Sequence, residues 1–500
     1  MTMERRTLLK GSAAAATATA LGGPFAGFAN APAGGAVRGE RRGKLVPIKD
    51  LRDGKVRLHL PEGFRYRSFH DTGAGTVKLD DGTILPGNHD GMGAFRGDGN
   101  EVVLVRNHEL NNPEPKDPEE PNAPEPPPYE SFGGPGAPDP YDDGARGGTT
   151  TIHVSRDGDV KKAYTSLHGT LMNCSGGVMP WGSWITCEET INGPDVGPDF
   201  TGASNVPLQR PHGYVFEVPA GGHGDARPIT MAGRFAHEAV SFDPVGGALY
   251  LTEDNFGFAS GFYRYTPRHN PMRSGHLDNY GKLEMLAVQG RPNLHLEGEQ
   301  RRGKTYKVKW VPIKDPNIVY EYQPGKEAST SNNDAIRYVG DQGRALGAAY
   351  FSRLEGQVYD DRIVYFTSTQ GGGPEEESDE NSGGYGQGFG QVWAYDTRRE
   401  TLTCVYQSPG PEVLDFPDNV TTSPRGTLVL CEDHSDQNFL RTLTQGGRIR
   451  DLALNSIPGL EDAEFAGSTF SHNGRTLFVN IQDEAGMTFA IWGPWGRAGV

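Results

Sequence analysis

The sequence predicts an all-β fold, a six-bladed β-propeller with long inserted loops. Three observations lead there: one strand-turn-strand pattern recurs six times, glycine and proline are abundant, and no segment carries a convincing helical period. The 70 glycines among 500 residues are about twice the usual share, and 37 prolines add further turns.

Each unit begins with a polar or acidic residue that leads into a short strand. A turn bearing Gly, Pro, Asp or Asn follows, and a second apolar strand ends in residue types that bind metals. The units are "FRGDGNEVVLVRNHE" (95–109), "NCSGGVMPWGSWITCEE" (173–189), "HEAVSFDPVGGALYLTEDN" (237–255), "LEGQVYDDRIVYFTSTQ" (354–370), "PDNVTTSPRGTLVLCEDH" (417–434) and "FAGSTFSHNGRTLFVNIQD" (465–483). A third alternating strand follows several of them: "GYVFEV" at 213, "GFYRYT" at 261, "GQVWAYD" at 390 and "FAIWG" at 489. A sandwich assembled from hairpins is the weaker alternative. Three insertions separate the units. Residues 111–148 are rich in Pro and acid, and residues 371–390 are acidic and then Gly-rich, so both read as surface loops. Residues 266–345 carry the basic run "RRGKTYKVKWVPIK", read as a solvated hairpin.

The N-terminus reads as a twin-arginine export signal, residues 1–31: Arg5 and Arg6 precede Leu8, Leu9 and Lys10, and an Ala-rich run ends at Ala31. That run is too short and too poor in Leu and Ile to span about 30 Å of hydrocarbon. Residues 32–500 are expected to form one domain, periplasmic or secreted, without stable membrane insertion. The whole chain carries −16 and the signal +2, so the mature protein is near −18. Such a surface repels nucleic acid and anionic lipid. Monomer is the default expectation, because a propeller guards its own edges. Four cysteines, at 174, 187, 404 and 431, are too few for a disulfide scaffold.

Antiparallel pairing brings the start of each unit's first strand and the end of its second to one end of the blade, and hence to one mouth of the channel. The residues expected there are Asn107, His108 and Glu109; Asn173 and Cys174; Glu188 and Glu189; His237 and Glu238; Glu253, Asp254 and Asn255; Arg353 and Glu355; Asp418 and Asn419; Glu432, Asp433 and His434. Two carboxylates about 4 Å apart repel by roughly 4 kcal/mol at an effective dielectric of 20. Such a crowd demands protons or bound cations. Oxygen ligands suit calcium, and a thiolate at Cys174 adds a softer metal. Cys187, one residue before Glu188 on an alternating strand, reads as a core thiol. No nucleophile elbow, P-loop or zincin helix is present, and "GYGQGFG" lacks the βαβ setting of a dinucleotide site.

These words, among them "NHE", "GRFAHEAVSFDP", "YLTEDN", "DFPDNVTTSPRGTLVLCED" and "FAGSTFSHNGRTLFVNIQ", resemble the PhoX family of secreted calcium- and iron-dependent alkaline phosphatases over most of the mature chain. The resemblance implies a six-bladed propeller that hydrolyses small-molecule phosphomonoesters at a mixed Fe3+/Ca2+ cluster. It implies Cys174, Glu238 and Glu355 at iron, and Glu188, Glu189, Glu253, Asp254, Asp418, Asn419, Glu432 and Asp433 as the calcium set. Glu109 counts with these metal residues, while Arg353 and Asn107 would hold the substrate phosphate. The fourth unit departs from the pattern by ending in Thr369 and Gln370. The rival readings are a calcium-dependent lactonase-type propeller and a non-enzymatic, calcium-stabilised binding propeller.

Overall fold

The computed structural model describes residues 44–116 and 125–500. The proposed export signal lies outside them. Six antiparallel blades form a closed ring, and their innermost strands pack side by side: His89–Arg96, Asn173–Val178, His237–Asp243, Leu354–Asp360, Pro417–Thr422 and Phe465–Phe470. The ring closes on a strand from the N-terminal side, since Arg65–Phe69 pairs with Met487–Trp492 as the outer strand of the sixth blade. Closure removes the open edge that an incomplete sheet would present.

Each pair of neighbouring blades encloses one apolar cluster. Phe95, Val105, Trp184 and Phe216 pack between the first and second blades; Ile185, Cys187, Val240 and Leu251 pack between the second and third. Similar clusters fill the other four gaps. Because each blade buries both faces, strands such as Leu428–Glu432 are buried at every position. Apolar run and alternation therefore coexist in the sequence.

The structure corrects several expectations. The first unit starts at His89, not at 95: "HDGMGAFR" is the inner strand and pairs with Glu101–His108. Residues 266–345 hold regular structure, including the strands Gly281–Val288 and Thr305–Pro312 and a helix, Asn332–Arg344. The basic run is therefore not an isolated hairpin. Thr305–Pro312 pairs with Gly281–Val288 on one side and with Thr401–Gln407 on the other, and so fuses the third and fourth blades into a nine-stranded sheet. Its Lys307 and Lys309 face solvent while Tyr306 and Val308 are buried. The helix is capped by Ser331, whose side chain accepts from Asp334 N. Gly340 and Gly343 within it and a mostly polar surface mask its period in the sequence. Residues 371–390 contain no strand or helix and pack back on the molecule: Tyr385 N donates to Phe256 O at 2.7 Å and Asn381 N to Gly257 O at 2.8 Å. Among the described residues no helix is long and apolar enough to cross a membrane.

Candidate metal centre

One structural rule, repeated around the ring, builds the site. In each blade the first pair of the inner hairpin joins a strand start to a strand end: His89 to His108, Asn173 to Glu188, His237 to Glu253, Leu354 to Ser368, Pro417 to Glu432 and Phe465 to Ile481. Pairing slips just beyond that point in all six blades, the bulge that re-aims a side chain. The residue after the strand start is Asp90, Cys174, Glu238, Glu355, Asp418 or, in the sixth blade, Ala466. The residue after the strand end is Glu109, Glu189, Asp254, Thr369, Asp433 or Gln482. Small residues permit the crowding: a Cβ at Gly91 would lie 2.6 Å from Cys174 O, and one at Gly356 would lie 2.6 Å from Asn419 Cα.

Two groups of these side chains converge. Ligand atoms of Cys174, Glu189 and Glu238 lie within 4.8 Å of one another, as do those of Glu238, Glu355 and Asp418. Glu238 belongs to both, so the two groups are contiguous and would hold their cations side by side. Burial, followed by repulsion from Glu355, Asp418 and Glu189, pushes the Glu238 carboxyl well above its usual range. Burial and the nearby Glu238 and Glu189 raise the Cys174 thiol in the same way. Asp418 is pushed up to about 7 by burial and by Asp433. Without cations, burial and mutual repulsion would favour the protonated forms of these groups. Bound cations would replace the protons, and the donor set, one thiolate among carboxylates, fits such ions.

Arg353 stands against this cluster. Its Nε and Nη2 donate to Asp254 at 3.2 and 2.6 Å, Nη2 also lies 3.0 Å from Glu355 Oε1, and the guanidinium rests 5.2 Å above the Phe256 ring. The residue is 8% exposed and has φ +34°, the left-handed region that a β-carbon disfavours.

Other expected site residues point elsewhere. Strand neighbours face opposite ways, so an acidic pair at a strand end sends only its second member into the mouth. Glu188 is fully buried and accepts from Leu171 N, His212 Nδ1, Gly213 N and Tyr214 N at 2.6–3.0 Å. Glu253 accepts from Gly261 N and Tyr263 OH, both at 2.8 Å. Glu432 pairs with Arg441 Nε at 2.8 Å and accepts from Asp415 N. All three turn back to their own blade and leave the calcium set predicted from sequence. Asn107 leaves the phosphate site: its amide donates to Cys174 O and Ser175 O at 3.0 and 2.7 Å and accepts from Trp184 Nε1 and Thr186 Oγ1, both at 2.9 Å. It braces the strand that carries Cys174. Asn419 likewise braces, accepting from Gly467 N and donating to Asp418 Oδ1. Glu109 accepts from Gln482 Nε2. All four cysteines are free, so no disulfide joins Cys174 to Cys187.

Two acids were missed. Asp90 lies buried with Oδ1 lacking a hydrogen-bond partner, and burial with repulsion from Glu109, Asp418 and Glu189 raises it strongly. Glu464, just before the sixth inner strand, is raised by burial, Asp433 and Asp418, and its Oε2 is also unpartnered. The signal for Asp90 was its likeness to the third unit, "HDG" against "HEA".

Fold and site thus define a propeller with a metal-binding mouth. The profile of the family described as "Alkaline phosphatase PhoX" matches residues 44–162 and 144–485, and the chain belongs to that family. It is a metal-dependent phosphomonoesterase of a secreted or periplasmic group. Among solved structures it is similar to Pseudomonas fluorescens PhoX in complex with vanadate, a transition-state analogue, with 17% identity and a TM-score of 0.59 over 91% of this chain and 98% of that one. That likeness shows the fold. More distant similarity extends to a Xanthomonas campestris gluconolactonase (12% identity, TM-score 0.38, 92% and 99% covered) and a Staphylococcus aureus virginiamycin B lyase (11%, 0.36, 86% and 99%). No curated protein matches the sequence significantly.

Proposed function

We propose that the mouth hydrolyses phosphomonoesters with iron at Cys174, Glu238 and Glu355 and calcium at Glu189, Asp254, Asp418, Asp433 and Glu109, together with Asp90 and Glu464. The observation that carries this reading is the pair of ligand groups sharing Glu238, one of them containing a thiol. When bound, the cations would neutralise the carboxylates and polarise the phosphoryl oxygens.

The chain's own contribution is positioning. Arg353 is held through Nε and Nη2 by Asp254 and Glu355, an arrangement that leaves Nη1 to donate to the phosphate. Its left-handed backbone is the kind of strain that persists where a side chain must be aimed. Asn107 fixes the Cys174 backbone from below. With a mature charge near −18, Arg353 and the cations are what admit an anionic ester. The protein works as a monomer on small phosphate esters, not nucleic acid, after export by the twin-arginine route.

Metal analysis of the natively exported protein tests the cluster: iron together with calcium is expected, and calcium alone would overturn the mixed site. Turnover of a chromogenic phosphomonoester should fall at least 100-fold in Arg353→Ala, the order seen when one transition-state donor is removed. Full activity in that variant would rule out the assigned grip.

A further inference from the structure

Beside Arg353 the rim of the mouth carries an aromatic wall. Phe256, on which the guanidinium rests, has its ring centroid 6.4 Å from that of Phe200, with the planes tilted by 31°. Phe200 is 63% exposed, among the most exposed large apolar side chains of the described residues. A single exposed apolar residue ordinarily needs no explanation. This one is held in place, however. The preceding Asp199 accepts from Thr201 N at 2.9 Å through Oδ1, and from Asn111 Nδ2 and Asn192 Nδ2 at 3.0 Å through Oδ2. Asn111 and Asn192 follow closely on Glu109 and Glu189, so the loop bearing Phe200 is tied to the segments that leave the metal ring. Phe256 is fixed from the other side, because Tyr385 N of the 371–390 segment donates to its carbonyl.

We infer that Phe200 and Phe256 form the subsite for the alcohol side of the substrate, and that it takes phosphomonoesters whose alcohol carries a planar aromatic ring. The inference rests on Arg353 holding the phosphate. An ester bound there projects its alcohol along Phe256 toward Phe200. Aromatic rings pair with centroids about 4.5–7 Å apart, and the exposed face of Phe200 continues that series outward. Both aryl phosphates and nucleoside 5′-monophosphates meet this chemistry; an aliphatic ester does not.

The test compares kcat/KM of the intact metal-loaded enzyme for 4-nitrophenyl phosphate, adenosine 5′-monophosphate and glycerol 1-phosphate. Wild type should favour at least one aromatic ester over glycerol 1-phosphate, and Phe200→Ala should lower that ratio about fivefold or more. Phe200→Trp, which retains a ring, should keep it. Loss confined to the aryl ester assigns the subsite to rings close to the phosphate, whereas loss confined to the nucleotide assigns it to rings farther out. An unchanged ratio for both esters in Phe200→Ala, or an equal loss in Phe200→Trp, overturns the inference. Inhibition by inorganic phosphate, measured in Arg353→Ala, reads the phosphate grip separately. If phosphate still inhibits that variant as in wild type, the grip has failed and not the aromatic wall.

Discussion

Glu188 and Glu189 are adjacent in sequence and should fail in opposite ways when neutralised. Glu188 is wholly buried and faces His212, itself wholly buried, at 2.6 Å, with Asp142 on the far side at 3.5 Å. Burial opposes charge on His212, but Glu188 and Asp142 outweigh it and push the imidazole up to about 9 from a reference of 6.5. A folded-state value above the unfolded one means that the stabilisation is complete below about pH 6.5 and is lost as pH rises through 9. The shift corresponds to about 3 kcal/mol. Glu188→Gln keeps the shape and removes the charge. It is expected to lower unfolding free energy by about 2–4 kcal/mol at pH 6, and to flatten the fall in stability between pH 6.5 and 9. Bound metal should stay at wild-type stoichiometry. Glu189→Gln removes one of several mutually repelling carboxyls beside Cys174 and Glu238. Metal content and phosphatase activity should collapse, while the chelated protein should be no less stable than chelated wild type. Urea unfolding across pH, run beside metal analysis, reads both variants. Metal loss in Glu188→Gln without loss of stability would refute the assignment of the two acids.

Chelation should leave a protein whose stability falls as pH rises from about 4 to 7. Asp418 sits at about 7 when folded against 3.8 as reference, so its contribution is present below pH 4 and disappears toward 7; restoring calcium and iron should abolish the trend in thermal melts. Cys174→Ser should lose the thiolate-bound metal and activity, whereas Cys187→Ala, inside the apolar cluster between the second and third blades, should cost about 1–3 kcal/mol of stability and keep the metal. Asn107→Ala should weaken both properties together, because it leaves two buried carbonyls unpaired under Cys174, at about 1–3 kcal/mol each; activity loss without any stability loss would point instead to direct substrate contact. Gly91→Ala should force the first two inner strands apart, where its Cβ would meet Ser175 Cα at 2.6 Å, and should lower the melting temperature and metal content alike.

The propeller was legible because its repeat is chemical as well as periodic: each second strand is an apolar run that ends in a polar pair, and six such endings are hard to produce by chance. The convergence of Cys174, Glu238, Glu355 and Asp418 followed from antiparallel pairing alone. What the strings concealed was direction. "CEE", "TED" and "CED" look like double ligands, yet pleating sends Glu188, Glu253 and Glu432 back into hydrogen bonds with their own blades. The first inner strand was hidden because Gly91 and Gly93 interrupt its apolar alternation. The close approach that demands Gly91 is also what brings Asp90 to the cluster. Helix Asn332–Arg344 escaped because the side it buries includes Gly340, Gly343 and Arg344 beside Ala335 and Val339, which blurs the apolar period.

The departures from sixfold regularity carry the functional asymmetry. Three blades place a carboxylate both just after the strand start and just after the strand end, Asp90 with Glu109, Glu238 with Asp254, and Asp418 with Asp433, while the second sets the Cys174 thiol against Glu189. The sixth has Ala466 and Gln482, and Gln482 serves as a donor to Glu109 instead of adding charge. The fourth has Glu355 but replaces the outer acid with Thr369, whose hydroxyl is spent on Pro417 O at 2.9 Å. Arg353 enters from that same fourth blade, against Asp254 of the third. A fully regular ring would surround the ions with carboxylate and repel a phosphate on every side. Of the two blades without an outer acid, only the fourth also supplies a guanidinium, which gives the proposed substrate an approach of favourable sign there, and Thr369→Glu should therefore weaken phosphate inhibition while leaving metal content intact. Equal phosphate inhibition in that variant would mean that the ester enters over another blade.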